Sequence, residues 1–334
     1  MPLSFKLRNQ VKQSMGSFLS GGAGGHGNGL AVVYQTRPSW PHSGAGSYLA
    51  SISASTTPVG PEQVDIAVLD SSFNPPHLAH LALASSKPIL SANAITRRSH
   101  YPAHLFLLSS RNADKGHGRP GDASPLQRVL MMVVLAKDLE ERMRQEGVDE
   151  TRINVAVAVC GEPLMKDKSS LVHDWLQQQR GSEAGATPQN SRLHWVVGWD
   201  TLIRFFALKY YPSREEFAKA CHQFFVEEGT TFVCARRAMR ADDSSQDDDG
   251  TAEQKQRQEE YEFLYSDLVR PWVEQGSVAM FDLSEEVRHV SSTQTRQLVR
   301  QAGLAAEQKK MALQRQGLLT AAMAEFVVDE GIYD

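Results

Sequence analysis

Residues Val64–His80 read VDIAVLDSSFNPPHLAH, an apolar run that breaks into a short polar turn and then resumes in a helical pattern. Val64 to Leu69, apolar but for Asp65, is too continuous for a half-exposed strand and predicts a central parallel strand covered on both faces. The turn after it opens at the carboxyl edge of the sheet, where open α/β folds bind ligands. Pro75 and Pro76 stop the strand and pre-set φ for a helix beginning near His77 or Leu78. Unpaired N–H groups at such a start point toward anions. His77 and His80, three residues apart, share a helix face, so both imidazoles are expected to reach one phosphate. Alone, the pair equally fits a surface accident or half of a zinc site.

A second stretch far down the chain, Val290-Ser291-Ser292-Thr293-Gln294-Thr295-Arg296, follows a strand drawn over Ser277 to Leu283 and opens another helix. Three hydroxyls and a guanidinium there dress a helix start with anion donors. An N-cap Ser beside a helix-surface Arg would read the same way in isolation. Together, in this order, the two stretches resemble the signatures of the nicotinamide-mononucleotide adenylyltransferase family, GSFNPxTxxH or GxFxPxHxxH early and ISSTxxR late. The resemblance covers about residues 61–334 and is nearest to a divergent fungal branch whose opening motif also reads SSFNPP.

Composition narrows the alternatives. At 334 residues with net charge -4, the chain can bury a sizeable core and carries no global basic field for bulk nucleic-acid binding. Cys160, Cys221 and Cys234 have no metal-ligand spacing and are too few for a disulfide framework, which predicts reduced core residues in a reducing compartment, the cytoplasm or nucleus. No apolar run approaches the roughly 20 residues of a membrane helix. No internal repeat is evident.

Residues 1–60 differ from the rest. They hold no acidic residue and many Gly and Ser, with Lys6, Arg8 and Lys12 near the beginning. This fits an N-terminal extension with a short helix around Phe5 to Leu19, an edge strand over Leu30 to Tyr34 and a disordered connector over Ser43 to Pro61; a mitochondrial presequence has a similar composition.

From residue 61 onward, strand-like runs alternate with helical patterns, which predicts a doubly wound, mostly parallel Rossmann-like sheet with helices on both faces. The strands are drawn over Val64–Asp70, His104–Ser109, Ile153–Val159, Leu193–Gly198, Thr230–Ala235 and Val278–Leu283. The clearest helix runs from Pro125 to about Gln145 behind a Ser124 cap. Gln179 to Ser191 and residues 241–260 read as surface insertions, the second a solvated acidic loop leading into a helix over Glu253 to Val269. Its aspartates lack the ligand spacing and glycine turn of a cation loop.

The resemblance implies transfer of AMP from ATP to nicotinamide mononucleotide, giving NAD and pyrophosphate, with Mg2+ bound alongside ATP. Such a reaction asks for orientation of two polyanions and neutralisation of developing charge, and no GxSxG elbow or paired Cys and His motif competes with that reading. By position in the family motif, His80 would bond the α-phosphate, His77 would touch the β-phosphate region, and Ser72 and Phe73 would offer backbone N–H groups. Ser71 replaces the family's usual glycine and narrows the backbone's approach to a ligand. Ser291, Ser292, Thr293 and Arg296 would hold the triphosphate, Arg296 forking onto it. Lys115, after the second strand, would bind the mononucleotide phosphate. Arg128 would either join it or bond carbonyls or an acid beneath the site.

Gly198-Trp199-Asp200 resembles a GxDxL element in which Gly198 allows close approach and Asp200 accepts ribose hydroxyls or a hydrated magnesium ion. Asp200 would equally cap its helix. Trp199 would stack on a base unless it belongs to the core, and Arg236 is a weaker phosphate candidate. The pyridine pocket departs from the family pattern: Glu162 to Lys168 do not match it, and Trp175 is the candidate stacking residue. Two rivals stay open, a related nucleotidyltransferase using CTP or another phosphorylated acceptor such as pantetheine phosphate, and a nucleotide-binding regulatory protein without turnover.

Overall fold

The computed structural model describes residues 3–20, 29–42, 63–87, 100–111, 120–181, 191–236 and 249–333. Its strands are β1 (Leu30–Gln35), β2 (Val64–Asp70), β3 (Ala103–Ser109), β4 (Val155–Cys160), β5 (Ser191–Gly198), β6 (Thr231–Ala235) and β7 (Val278–Phe281). The helices are α1 (Phe5–Leu19), α2 (Leu78–Ala84), α3 (Pro125–Gln145), α4 (Met165–Gly181), α5 (Trp199–Phe205), α6 (Arg214–His222), α7 (Asp249–Leu264), α8 (Arg270–Glu274), α9 (Glu285–Arg288), α10 (Ser292–Val299), α11 (Ala306–Arg315) and α12 (Ala321–Asp329).

The seven strands lie in the order β1-β4-β3-β2-β5-β6-β7. Every pairing is parallel except β1 against β4. The chain leaves β2 toward β3 and β4, then returns to β5 on the other side and continues outward. The order therefore reverses between β2 and β5, and their carboxyl ends flank the crevice where doubly wound sheets take ligands.

Burial explains why the strands read as unbroken apolar runs. On β4, Val155, Val157 and Val159 face the core beneath α1 and α3, while Ala156, Ala158 and Cys160 face the core that holds Trp195 and the Phe205–Phe232 cluster. Both faces are dry, so the period-2 polarity of an exposed sheet is absent. The cysteines Cys160, Cys221 and Cys234 are free and buried, and burial raises each thiol's pKa. Among the described residues no helix is long and apolar enough to cross a membrane.

Helix α3 follows from its first four residues. Ser124 accepts from the Gln127 N–H at 3.3 Å, Gln127 accepts in return from the Ser124 N–H at 2.8 Å, and Pro125 occupies the first helical position. Sandwiched between β3, β4 and the outer helices α1 and α12, its centre from Val129 to Ala136 is wholly buried.

Residues Leu30–Gln35 are built into the sheet as its antiparallel edge strand. A buried Tyr34 hydroxyl donates to Glu140 on α3 at 2.5 Å and Thr36 donates to the same oxygen at 2.7 Å, so the edge strand is bolted to the central helix. The connector expected over Ser43 to Pro61 lies outside the described residues. Asp242, Asp243, Asp247 and Asp248 lie outside them too. The helix expected from Glu253 to Val269 is α7, ending at Leu264, with α8 following. Glu260, expected in a solvated insertion, is buried and accepts from Arg236 at 3.1 Å, because α7 lies back onto the sheet edge.

One buried acid makes stability depend on pH. Thr320 caps α12, accepting from the Met323 N–H at 3.1 Å, and its hydroxyl donates to Asp138 on α3 at 2.6 Å. Burial pushes the Asp138 carboxyl up to about 6, with the Thr320 hydrogen bond opposing it. The fold thus favours the protonated acid, a contribution complete below the ordinary carboxylate range and lost as pH rises through about 6. Asp138→Asn should therefore raise stability near neutral pH by on the order of 1 to 3 kcal/mol and make little difference below about pH 4. Thermal melts across that range check the sign.

Candidate functional site

A cleft of about 550 Å³ opens at the carboxyl ends of β2, β3 and β4 and is closed by the starts of α3, α4 and α10. Ser71, Ser72 and Asn74 from the first motif line it together with Ser292, Thr293 and Arg296 from the second. Two stretches some two hundred residues apart in sequence thus share one wall.

Asn74 makes the junction. Its side-chain amide donates to Asp122 at 2.6 Å, and its Oδ1 accepts from the Ala123 N–H at 3.0 Å and from the Tyr333 hydroxyl at 2.8 Å. The Asn74 carbonyl accepts from Arg296, whose other terminal nitrogen donates to Thr293 at 3.2 Å. Ser292 donates to the Pro75 carbonyl at 2.8 Å. Next to Asn74, the fully buried Phe73 holds φ of 45°, a left-handed conformation that costs about 1 to 3 kcal/mol for a residue with a side chain. Four hydrogen bonds at Asn74, at roughly 1 kcal/mol each, are sufficient to hold it.

Charge gathers in the cleft against the sign of the whole chain. Among the described residues, Arg111, Arg128, Lys166, Lys168, Arg204 and Arg296 line it, with Asp70 and Asp122 as the carboxylates. Lys168 and Asp70 form an ion pair at 2.6 Å with side chains 8% and 11% exposed, which fixes the lysine on the cleft floor. Arg128 donates to the Ala123 carbonyl at 2.9 Å and sits 3.4 Å from Asp122, so the expectation that it bonds a carbonyl and an acid beneath the site describes its placement. Hydroxyls of Ser109, Ser110, Ser124 and Thr201 line it too, and its apolar and aromatic surface includes Met15 and Phe18 of α1, Leu108, Val159, Tyr210 and Tyr211.

The two histidines sit behind the wall. His80 is 7% exposed and neither His77 nor His80 lines the cleft. Their rings lie 3.9 Å apart. The N–H groups expected to face an anion are satisfied internally: that of His77 donates to His80 Nδ1 at 3.1 Å and that of Leu78 to the Leu318 carbonyl at 3.0 Å. Burial lowers the His80 pKa to about 4, and burial plus the neighbouring His80 lowers that of His77 well below its ordinary value. Both rings are neutral at physiological pH.

Other expected residues are dispersed. Phe73, Ser291, Gly198, Trp199 and Asp200 do not line the cleft. Ser291 caps α10, accepting from the Gln294 N–H at 3.3 Å. Gly198 is the N-cap of α5 in extended conformation, and a Cβ there would meet nothing within 4 Å. Asp200 is exposed in the first turn of α5, and the cap position belongs to Gly198. Trp199 is buried edge-on against Phe263 at 5.1 Å, a core residue. Trp175 packs on Trp40 at 5.8 Å and does not line the cleft. Arg236 is held between Glu260 and Asp282 at 3.1 and 3.3 Å. Lys115 lies outside the described residues.

Sequence reasoning passed over Asp70, Asn74, Asp122, Lys166, Lys168, Arg204 and the two α1 residues. Asn74 stood inside the quoted motif and Lys166 and Lys168 inside a quoted segment, so the signal was a polar residue adjoining a strand end rather than a named signature.

No protein-family model matches the chain. A Schizosaccharomyces pombe protein named "Putative nicotinamide mononucleotide adenylyltransferase" is 34% identical over 149 residues. The chain resembles that family. The matched region spans 45% of this chain and 45% of the yeast protein, less than half the length of each. A Plasmodium falciparum nicotinic acid mononucleotide adenylyltransferase, solved as a complex with APC, aligns with a TM-score of 0.40 at 11% identity, covering 81% of this chain and 98% of that one. The fold class stands on the sheet order and strand directions themselves.

Two substitutions test the architecture of this cleft. Asn74→Ala should cost about 2 to 4 kcal/mol, since it strips partners from Asp122, the Ala123 N–H and Tyr333 at once. Lys168→Ala should cost about 3 to 5 kcal/mol by leaving Asp70 buried without its cation, whereas the double change Asp70→Asn with Lys168→Met should recover most of that loss. Urea denaturation of the three proteins measures both.

Proposed function

We propose that this chain is a nucleotidyltransferase that moves AMP from ATP to nicotinamide mononucleotide, forming NAD and releasing pyrophosphate. The observation that carries the reading is the shared cleft: the two motif stretches meet through Asn74 and Arg296, in a wall where six cationic side chains face two carboxylates. A chain of net charge -4 has concentrated positive potential at one place, as a polyanion site requires. The name of the yeast relative adds the pyridine-nucleotide acceptor.

In this reading a phosphate oxygen of the mononucleotide attacks the α-phosphorus of ATP, the bond from that phosphorus to the bridging oxygen breaks, and pyrophosphate leaves. The protein's task is alignment and charge neutralisation. Arg296, Ser292 and Thr293 would hold the triphosphate, and Arg296 is already aimed by the Asn74 carbonyl. Lys168, fixed by Asp70, with Lys166, paired with Asp167, and Arg111, would meet the phosphates from the floor and the β3 edge, with Lys115 joining the acceptor phosphate. The rings of Phe18, Tyr210 and Tyr211 are the aromatic surfaces available to a base or pyridine ring.

Mg2+ would arrive bound to the triphosphate. Among the described residues no group of three His, Cys, Asp or Glu could cage a metal, and Asp70 and Asp122 are committed to cations. When bound, the ion would neutralise phosphate charge.

The test is a panel of ATP and CTP against nicotinamide mononucleotide, nicotinic acid mononucleotide and pantetheine phosphate, read as pyrophosphate release and dinucleotide formation. ATP with nicotinamide mononucleotide should give NAD. Arg296→Lys should lower kcat/KM at least about a hundredfold, since a lysine cannot reproduce the fork. Turnover with CTP alone would overturn the assignment, as would triphosphate binding without turnover on any acceptor.

A further inference from the structure

Ser71 stands between His80 and the cleft. Its Oγ lies 2.9 Å from His80 Nε2, and Ser71 lines the cleft while His80 does not. The other ring nitrogen of His80 accepts from the His77 N–H at 3.1 Å, so in the neutral ring Nε2 carries the proton and donates to the serine. A serine hydroxyl that accepts one hydrogen bond keeps its own proton to give. Here the side open to that proton is the cleft.

We propose that the group contacting the bound anion on this wall is the Ser71 hydroxyl, with His80 behind it as a positioning residue. This rests on the reading of the cleft as a polyphosphate site. The phosphate oxygen receives a neutral hydroxyl donor whose lone pair is pinned by the buried imidazole, and no proton is transferred. Fixing the rotor in advance removes an ordering cost that a free serine would meet on binding. Burial keeps His80 uncharged down to about pH 4, so the contact keeps its strength across the neutral range.

Calorimetric titration of the full chain with tripolyphosphate and with ATP tests the assignment without relying on turnover. Ser71→Ala should weaken both about tenfold, and Ser71→Thr, which keeps the hydroxyl, should stay near wild type. His80→Gln should weaken binding in the wild-type background and have little further effect on the Ser71→Ala protein, the non-additivity expected of two groups acting through one contact. A merely structural His80 would lower the affinity of both backgrounds alike. Unchanged or tighter binding by Ser71→Ala, or additive losses in the double variant, overturns the proposal. Wild-type protein that binds tripolyphosphate but makes no dinucleotide sinks the adenylyl-transfer reading and leaves Ser71 decided by the titrations. Wild type that binds neither anion sinks both.

Discussion

The hydrogen bonds of Asn74 are the constraint on which the site depends. They join four separate parts of the chain: the turn after β2, the loop carrying Asp122 and Ala123, the start of α10 through Arg296, and Tyr333. Among the described residues, the two non-glycine positions with positive φ, Phe73 and Tyr333, both belong to this junction. Local strain on both sides of a saturated polar residue is the pattern expected where tertiary structure overrides backbone preference. Gly121 serves the same junction: at φ of 81° it turns the chain toward Asp122, and a Cβ there would come within 2.5 Å of Arg300.

The junction explains how a weakly acidic chain builds a cationic cleft. Buried charge is costly unless paired, and the cleft obeys that rule on its floor, where Asp70 takes Lys168 and Asp122 takes Arg128. Each carboxylate fixes the position of one cation. Arg296 is aimed by a carbonyl instead, which orients the guanidinium without cancelling its charge. Fixed cations below and an uncancelled one on the rim leave a net positive field where a ligand would lie.

The sheet was legible because both of its faces are buried. That condition writes itself into sequence as apolar runs bounded by turns, and the expected strands match the observed ones to within two residues at nearly every end. The start of helix α3 was legible to the residue because its cap and N1 proline are local signals. The two motif stretches were legible as sequence, and their meeting was not. Side-chain destinations were also hidden: Trp175 and Trp199 sit on helices whose apolar patterns say that a face is buried but not which layer it enters. The Lys168–Asp70 pair spans 98 positions, and α1 reaches the cleft with Met15 and Phe18 through packing on β1 and α3, so neither had a local signature.

The histidines show why a motif read as chemistry needs its burial known. An imidazole on a helix face reads as a phosphate ligand, yet burial removes its charge and hydrogen bonding spends both of its nitrogens. His80 therefore has no free donor of its own, and any influence on the cleft must pass through the group it holds. Glycine at position 71 would leave Nε2–H without that partner, and serine supplies one. The side chain at 71 and the buried state of His80 are thus a single arrangement, in which added bulk at the turn is matched by satisfaction of a proton that would otherwise be stranded.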